Sequence, residues 1–324
     1  MLRRIASMDR SFMMKATVAV LGGTGQGGRG SVDVGAHLHQ RALQDEGGRH
    51  PLHRHCGRSV VDRSSLKERM ATSLLLTALD GIPTVTSGAD LPTLISGAME
   101  RTGVSLRNDD LLVVAQKIVS KAEGRLVHLA DVQPSERARE LARRCEKDPR
   151  VVELILQESA AVLRCRPGAI IVAHRLGLVL ANAGIDASNV ETPADEEAVL
   201  LLPADPDASA ERIRAGLRRI HGVDVGVIVN DSFGRAWRLG TVGTAIGVAG
   251  CPGLLDLRGK SDRNGRALRI TEVGIADEMA AAASILMGQA AEGRPVVHIC
   301  GPRFARRDGN AAELIRPESM DMFR

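Results

Sequence analysis

The chain has 324 residues, of which 44% are hydrophobic and 25% charged, ordinary values for a soluble globular protein of one large or two small domains. Its formal net charge is +4 and only 2% of its residues are aromatic, so the core is aliphatic and base-stacking nucleic-acid binding is disfavoured. No apolar stretch reaches the roughly 20 residues of a membrane span. The five cysteines form no CxxC motif, which indicates reduced thiols in a cytoplasmic protein.

Residues 1–70 carry the basic excess of the chain. They hold 12 of the 43 Lys and Arg residues and 6 of the 39 Asp and Glu residues, so the remainder is slightly acidic. No nucleic-acid partner is therefore predicted. Ser31–Arg69 is rich in Gly, Arg and His without an apolar period, which is typical of disorder. We expect residues 1–73 to be a disordered or misassigned N-terminal extension, and residues 74–324 to form one domain.

A glycine-rich turn is the one motif of this extension. Apolar Ala16–Leu21 precedes Gly22–Gly30, which looks like the strand and turn of a dinucleotide-binding fold. It weakly resembles the opening of reductases that pass hydride between NADP and the deazaflavin coenzyme F420. A Rossmann unit next requires an amphipathic helix and a second strand ending in an acidic residue, and Ser31–Arg69 supplies neither. A decayed remnant or a mitochondrial-type leader would also explain the extension.

From Leu74 onward, short apolar runs alternate with amphipathic ones. Strands are predicted at Leu74–Leu79, Leu111–Ala115, Gln116–Arg125, Ala169–Ala173, Leu178–Ala181, Val225–Val229 and Pro295–Cys300. Helices are predicted at Leu91–Met99, Pro134–Lys147, Pro149–Arg164, Asp207–Ile220 and Ile275–Met287. Because these elements mix without a regular βαβ repeat, the predicted fold class is α+β, with mixed β-sheets and flanking helices.

Two segments carry more detailed predictions. The helix Asp207–Ile220 is predicted to begin at a cap formed by Asp207 or Ser209 and to end at Gly222. Its buried face should carry three apolar residues at helical spacing, Ile213, Leu217 and Ile220. Gly240–Gly250 is rich in glycine and small residues, which indicates close backbone packing or a ligand against the main chain.

Polar residues follow the strand Val225–Val229 directly. Asp231 and Ser232 would lie at its carboxyl end, where open α/β sheets place ligands. A carboxylate beside a hydroxyl supplies the hard oxygen ligands that Mg²⁺ or Mn²⁺ prefers. Arg235 and Arg238 supply positive charge suited to a carboxylate or phosphate.

A second acidic loop contains Asp186 and follows the apolar run Leu178–Ala181. The two loops could converge on one metal and phosphate centre. The alternative interpretation is that Asp186 and Asp231 only stabilise turns or cap helices.

Five motifs, in order, resemble one known family. They are DDLLVVAQKIVSKAEGR at 109–125, NAGIDASN at 182–189, NDSFGRAWRLGTVGTAIGVAG at 230–250, DLRGKSDRNGR at 256–266 and ADEMAAAASILMG at 276–288. From about Leu79 to the C-terminus the chain is similar to the coenzyme F420-0:L-glutamate ligases, also called gamma-glutamyl ligases.

The resemblance implies an α+β homodimer that joins L-glutamate to the terminal carboxylate of coenzyme F420-0, and can add further γ-linked glutamates. It implies GTP as co-substrate, with Mg²⁺ or Mn²⁺ and K⁺. A carboxylate does not form an amide directly, because its anion repels nucleophiles and oxide is a poor leaving group. Transfer of a phosphoryl group from GTP would give an acyl phosphate, which the amine of glutamate can attack.

The resemblance also implies the site residues. The metal positions are Asp186, Asp231 and Ser232, where most relatives carry threonine at the last position. The nucleotide positions are Ile82, Pro83, Thr84, Val85, Gln116, Lys117, Lys121 and Asn189, with Gln289 and Glu292 in the segment 289–296. Asp186 and Asp231 are also the predicted catalytic residues, together with Arg235, which is included for its charge. From charge alone, Arg235, Arg238, Lys260 and Arg263 are candidates for anion binding.

Two other functions remain open. A metal-dependent phosphohydrolase would use the same aspartates but release phosphate without glutamate. A reductase that binds NADP through Gly22–Gly30 would lose NADP binding when residues 1–69 are removed.

Overall fold

A computed structural model describes residues 18–21, 73–186, 197–302, 304 and 307–322. The strands are β1 (Val18–Leu21), β2 (Leu74–Ala78), β3 (Leu111–Ala115), β4 (Leu126–His128), β5 (Ser159–Arg166), β6 (Ala169–His174), β7 (Val179–Ala181), β8 (Ala198–Leu200), β9 (Gly226–Arg235), β10 (Arg238–Ala249), β11 (Leu255–Asp256), β12 (Glu272–Val273) and β13 (Val296–Cys300). The helices are α1 (Leu91–Thr102), α2 (Gln116–Ala122), α3 (Glu136–Cys145), α4 (Pro149–Gln157), α5 (Pro206–His221) and α6 (Ile275–Met287). Short 3-10 turns cover Leu129–Asp131, Asn182–Gly184, Ala311–Leu314 and Glu318–Met320.

A mixed six-stranded sheet in the order β1-β2-β13-β3-β9-β10 organises the molecule. β2, β3 and β9 run parallel to one another, while β13 and β10 are antiparallel to their neighbours. Apolar side chains pack on both faces of this sheet, with α1 and α5 on one face and α6 on the other. The predicted α+β class with mixed sheets and flanking helices is confirmed.

A smaller part of the chain packs around the three-stranded antiparallel sheet β5-β6-β7 and the helices α3 and α4. The predicted pairing of the strands at 169–173 and 178–181 is confirmed, with Val172 opposite Leu180. A two-stranded sheet of β4 and β8 connects this part to the rest of the chain.

The helix α5 follows its predicted pattern with two corrections. Its N-cap is Asp205, whose carboxylate accepts the N–H of Ala208 at 3.0 Å, and not Asp207 or Ser209. Ile220 is exposed, so the buried face contains Ile213 and Leu217 without it. Gly222 ends the helix in the left-handed conformation, as predicted.

Two element predictions were wrong. The segment predicted as a strand at Gln116–Arg125 forms the helix α2 and the turn that leads to β4, since its apolar pattern is too short to distinguish the two structures. The helix predicted at Pro149–Arg164 ends at Gln157, and β5 begins at Ser159. There Glu158 accepts hydrogen bonds from Arg125 and Arg175, which fixes the chain at the point where it changes direction.

The glycines of β10 allow close packing, as predicted. A Cβ atom at Gly243 would collide with the hydroxyl of Ser284 and the backbone of Ala280 on α6. One at Gly247 would collide with the backbone of Pro206 at the start of α5. Glycine is therefore required where helices approach the strand from both faces.

Val18–Leu21 of the N-terminal extension forms the edge strand β1, parallel to β2. The glycine turn Gly22–Gly30 and the rest of the extension lie outside the described residues, as does Asn189. Among the residues that the structure describes, no helix is long and apolar enough to cross a membrane.

Candidate active site

The predicted site segments meet at one edge of the main sheet. β2, β3 and β9 are parallel, so their carboxyl ends share this edge, and the amino end of antiparallel β13 lies between those of β2 and β3. The segments at this edge are the loop 79–90 after β2, helix α2 after β3, Asp231 on β9 and the segment 288–295 before β13. Sheet edges of this kind are where α/β proteins bind ligands.

Asp231 is the first residue of β9 beyond the pairing with β3, which ends at Ala115 and Asn230. Its carboxylate accepts the N–H of Ser232 at 2.7 Å. Burial, the largest cause, and the charge of Asp186 together raise the pKa of Asp231 to about 6, against the opposing effects of the N–H of Ser232 and the ammonium of Lys117. A desolvated carboxylate of this kind favours a nearby cation.

Asp186 reaches the same site from the smaller part of the chain. Its backbone pairs with Leu200 through two hydrogen bonds, of 3.0 and 2.8 Å. Its carboxylate forms an ion pair with Lys117 at the start of α2, with 2.7 Å between Nζ and Oδ2. Because Asp186 acts electrostatically on Asp231, both predicted aspartates and Lys117 belong to one cluster.

Ser232 connects this cluster to the segment before β13. Its hydroxyl donates a hydrogen bond to Oε1 of Gln289 at 2.9 Å. Within that segment the carboxylate of Glu292 accepts the N–H of Ala290 at 2.8 Å, and such backbone hydrogen bonds lower the pKa of Glu292. Both predicted residues of the segment therefore lie at the shared edge.

The predicted residues Ile82, Pro83, Thr84 and Val85 lie in the loop after β2. Ile82 and Val85 pack into the core, whereas Pro83 and Thr84 are exposed. The N–H of Gly88 in the same loop donates to the carbonyl of Ala122 at the end of α2, at 2.9 Å. This contact brings the loop to the helix turn that contains Lys121.

Helix α2 gives its three predicted residues different environments. Gln116 is buried, and its amide donates to the hydroxyl of Ser120 at 2.6 Å, so it stabilises the helix from within. Lys117 and Lys121 are half-buried. Lys121 lies in the last turn of this helix and not at the end of a strand, which corrects its predicted setting.

The arginines and the lysine proposed from charge alone lie elsewhere. Arg235 and Arg238 are exposed at the free end of the β9–β10 hairpin, where Nη2 of Arg235 contacts the carbonyl of Leu239 at 3.3 Å. Arg235 lies four positions beyond Asp231 along the strand, a distance of roughly 13 Å. Lys260 and Arg263 are exposed in the connection between β11 and β12.

One positioning residue was missed in the sequence. Asn182 begins the turn before Asp186, and its side-chain oxygen accepts the N–H of Ile170 at 3.1 Å. Asn182 and Ala183 both have positive φ, of 52° and 54°. The Asn-Ala-Gly sequence is a recognisable signal for such a turn, because asparagine and glycine tolerate this conformation best.

The side-chain oxygens of the cluster fit an ion such as Mg²⁺, which takes part of its coordination shell from water and substrate. They do not form a site in which protein side chains supply every ligand. In the described part of the chain, no group of three or more His, Cys, Asp or Glu side chains is arranged to hold a metal. Asp186, Asp231 and Ser232 offer two carboxylates and a hydroxyl. Mg²⁺ is commonly held by one or two carboxylates, with water and substrate phosphates completing its shell.

Comparison with known proteins identifies the family of this chain. The family model described as F420-0:Gamma-glutamyl ligase matches residues 81–301. The chain is 44% identical over 251 residues to the coenzyme F420:L-glutamate ligase of Methanothermobacter thermautotrophicus, covering 77% of this chain and 98% of the relative. It is 47% identical over 244 residues to the enzyme of the same name from Methanopyrus kandleri, covering 74% of this chain and 93% of the relative.

A mixed sheet with two acidic loops and a lysine at its carboxyl edge is the framework of a ligand-binding α+β protein. The extent of the family match, over more than half of the chain, makes the assignment specific. The chain belongs to the F420-0:gamma-glutamyl ligase family.

Proposed function

We propose that this protein is a ligase that joins L-glutamate to the terminal carboxylate of coenzyme F420-0, using GTP, and can extend the product with further γ-linked glutamates. Relatives that match most of the chain carry the name coenzyme F420:L-glutamate ligase. The observation that carries the proposal is the cluster of Asp231, Asp186 and Lys117 at the carboxyl edge of the sheet. Two carboxylates and one ammonium in a half-buried site suit a reaction that moves a phosphoryl group.

The reaction must activate a carboxylate before the amide can form. Transfer of the γ-phosphoryl group of GTP to the carboxylate of the deazaflavin substrate gives an acyl phosphate and GDP. The amine of glutamate then attacks the acyl carbon, and inorganic phosphate leaves. Such chemistry depends mainly on positioning and on the neutralisation of spreading negative charge, so it needs no protein nucleophile.

Asp186, Asp231 and Ser232 are the residues that would hold Mg²⁺ or Mn²⁺. The bound ion would neutralise charge on the triphosphate. Asp231 would favour that ion because burial and the nearby Asp186 destabilise its carboxylate when no cation is present. Ser232 also hydrogen-bonds to Gln289, so the same residue connects the metal position to the proposed nucleotide segment. K⁺ is a further proposed cofactor, for which we assign no residue.

The guanine nucleotide is proposed to lie along the loop 82–85, helix α2 and the segment 289–296. Lys117 and Lys121 supply positive charge on the same helix, and Pro83 and Thr84 are exposed beside it. Nε of Arg294 lies 3.8 Å from Oδ1 of Asp80. This ion pair joins the segment 289–296 to the loop that follows β2. Cations on one helix facing an exposed loop are suited to a triphosphate.

We also propose that the protein is a homodimer in which a second copy covers the end of the β9–β10 hairpin. Trp237 is 82% exposed and Leu239 is 98% exposed at this end. β10 is the last strand of the main sheet, and Asp277 and Asp207 accept its N–H groups at Ala245 and Val248, away from the hairpin end. Exposed apolar side chains on a long edge strand favour pairing with another chain. Arg235 would then lie at the interface, and its proposed anion-binding role would concern a site built from both copies.

The decisive experiment is incubation of the purified protein with coenzyme F420-0, GTP, Mn²⁺ and L-glutamate, followed by mass spectrometry. We expect a product heavier by one glutamyl residue, with one GDP and one phosphate per amide. Omission of glutamate should leave the deazaflavin mass unchanged. Rapid release of phosphate from GTP without glutamate or amide product would instead indicate a phosphohydrolase.

A further inference from the structure

Two cysteines lie together in the smaller part of the chain, away from the proposed active site. Cys145 is the last residue of α3 and is fully buried. Its carbonyl accepts the N–H of Gly168, in the turn between β5 and β6, at 2.8 Å. Cys165, near the end of β5, packs against the apolar cluster that includes Cys145. The end of the helix and the hairpin are therefore fixed against each other at the position of the two thiols.

The two thiols differ in their environment. Burial, and then a hydrogen bond to the thiol of Cys165, raise the pKa of Cys145 to about 11. Cys165 is only partly buried and lines a cavity of about 340 Å³. Three arginines also line this cavity, with a single carboxylate from Glu140: Arg137, Arg144 and Arg164. One thiol is thus accessible in a positively charged cavity, and the other is protonated behind it.

Solvent access makes a thiol available to oxidants, and the thiolate is the form that attacks peroxides. A second thiol within bonding reach then converts the first oxidation product to a disulfide before it is oxidised further. Position is what gives Cys145 this second role, because it packs beside Cys165 in the same cluster.

We propose that Cys145 and Cys165 form an oxidisable thiol pair that hydrogen peroxide converts to a disulfide. The thiolate of Cys165 attacks one peroxide oxygen, and the O–O bond breaks. With one proton taken up, this step gives a sulfenic acid and one water. The sulfur of Cys145 then attacks the sulfur of Cys165, the S–O bond breaks, and the thiol proton of Cys145 leaves with the hydroxide as a second water. Overall, two thiols are oxidised and one peroxide is reduced to two waters.

The disulfide would tie the end of α3 to β5. These elements support β6, where Ile170 binds the side chain of Asn182 at the turn before Asp186. The cross-link would close a loop of about 20 residues, a length at which disulfides commonly stabilise proteins. The oxidised protein should therefore melt a few degrees higher than the reduced protein.

The test is to treat the full-length, reduced protein with a small molar excess of hydrogen peroxide. Free thiols are then counted after unfolding, and peptides are mapped by mass spectrometry without reduction. The count should fall from five to three per chain, and one linked peptide pair should contain Cys145 and Cys165. Dithiothreitol should restore all five thiols. A linked pair involving any other cysteine, or an unchanged count, would overturn the proposal.

Single variants separate the roles of the two thiols. Cys145→Ser should leave Cys165 as a sulfenic acid that dimedone traps, whereas Cys165→Ser should trap little dimedone at position 145. Cys251→Ser is the matched control, because Cys251 is also buried but belongs to the cluster around α6. This control should still form the Cys145–Cys165 disulfide. Its failure to do so, with the fold intact, would show that the oxidation is not specific to the pair.

Discussion

Lys117 and Asp186 form an ion pair of 2.7 Å that joins the first turn of α2 to the loop from the smaller part of the chain. Each side chain also acts on the pKa of Asp231, Lys117 lowering it and Asp186 raising it. Three groups that are far apart in the sequence therefore share one electrostatic environment. The charge balance of this cluster is the physical basis for the first two predictions.

Asp231→Asn should abolish glutamate ligation while leaving the fold intact. The amide keeps an oxygen that can accept the N–H of Ser232, but it removes the negative charge that would hold a divalent cation. Turnover should be measured at limiting Mn²⁺, with circular dichroism to check folding. Near-normal turnover under these conditions would show that Asp231 only shapes the turn.

In the metal-free protein, the contribution of Asp231 to stability should fall as the pH rises from about 4 to 6. Because the folded-state pKa of Asp231 is raised from 3.8 to about 6, the folded protein binds more protons than the unfolded chain in this window. Asp231→Asn removes this effect, and above pH 6 it should be more stable than the wild type by on the order of 1–2 kcal/mol.

The measurement is urea unfolding in the presence of a chelator at several pH values. The difference between wild type and Asp231→Asn should grow from pH 4 to pH 6 and then level off. Parallel pH profiles for the two proteins would contradict the raised pKa. An excess of Mg²⁺ should reverse the order of stability if the carboxylate holds the ion.

Lys121→Ala should raise the GTP concentration needed for half-maximal turnover by tenfold or more. A tenfold change corresponds to about 1.4 kcal/mol of lost interaction free energy with the nucleotide. The physical reason is the loss of a positive charge beside the exposed part of the loop 82–85. Lys147→Ala is the matched control, because Lys147 follows α3 in the smaller part of the chain. Equal GTP dependence in the two variants would contradict the assignment of Lys121 to the nucleotide.

The protein without residues 1–69 should still fold and associate. It should ligate glutamate at the rate of the full-length protein. Every motif of the family lies beyond Met70, and the matched region begins at residue 81. Any loss of stability should come from the four-residue edge strand β1, because its removal exposes one side of β2. Loss of ligation in a truncated protein that still folds would mean that the extension contributes to the site.

The same truncation tests the glycine turn. Titration calorimetry of the full-length protein with NADP should show no saturable binding, since the sequence after Gly30 lacks the pattern of a Rossmann helix and second strand. Saturable binding that disappears on truncation would support the reductase alternative.

Leu239→Ser should shift the proposed dimer toward monomer in analytical ultracentrifugation. Leu239 is 98% exposed on the edge strand, so the substitution removes no buried contact within one chain. It does remove apolar area from the proposed interface. Ile220→Ser is the control, because Ile220 is also partly exposed but lies at the end of α5, just before the amino end of β9. An equal effect of both substitutions would contradict pairing through the hairpin.

The sequence by itself determined those elements whose local residue pattern is compatible with only one type of secondary structure. The strand at Val225–Val229 is a β-branched run, and Ile275–Met287 is an alanine-rich helix stopped by glycine. For Gly240–Gly250 the sequence offered either close packing or a bound ligand, and the close approaches at Gly243 and Gly247 confirm the packing. These features depend on neighbours within a few residues along the chain.

Only the tertiary structure decided the rest. Gln116–Ala122 fits either a strand or a helix, and buried contacts such as the amide of Gln116 with Ser120 accompany the helix. The predicted helix after Pro149 stops at Gln157, where Arg125 and Arg175 engage Glu158 from distant positions. The contact of Lys117 with Asp186 likewise joins residues that no local pattern relates. Site geometry depends on which strands become neighbours, and that is a property of the packed core as a whole.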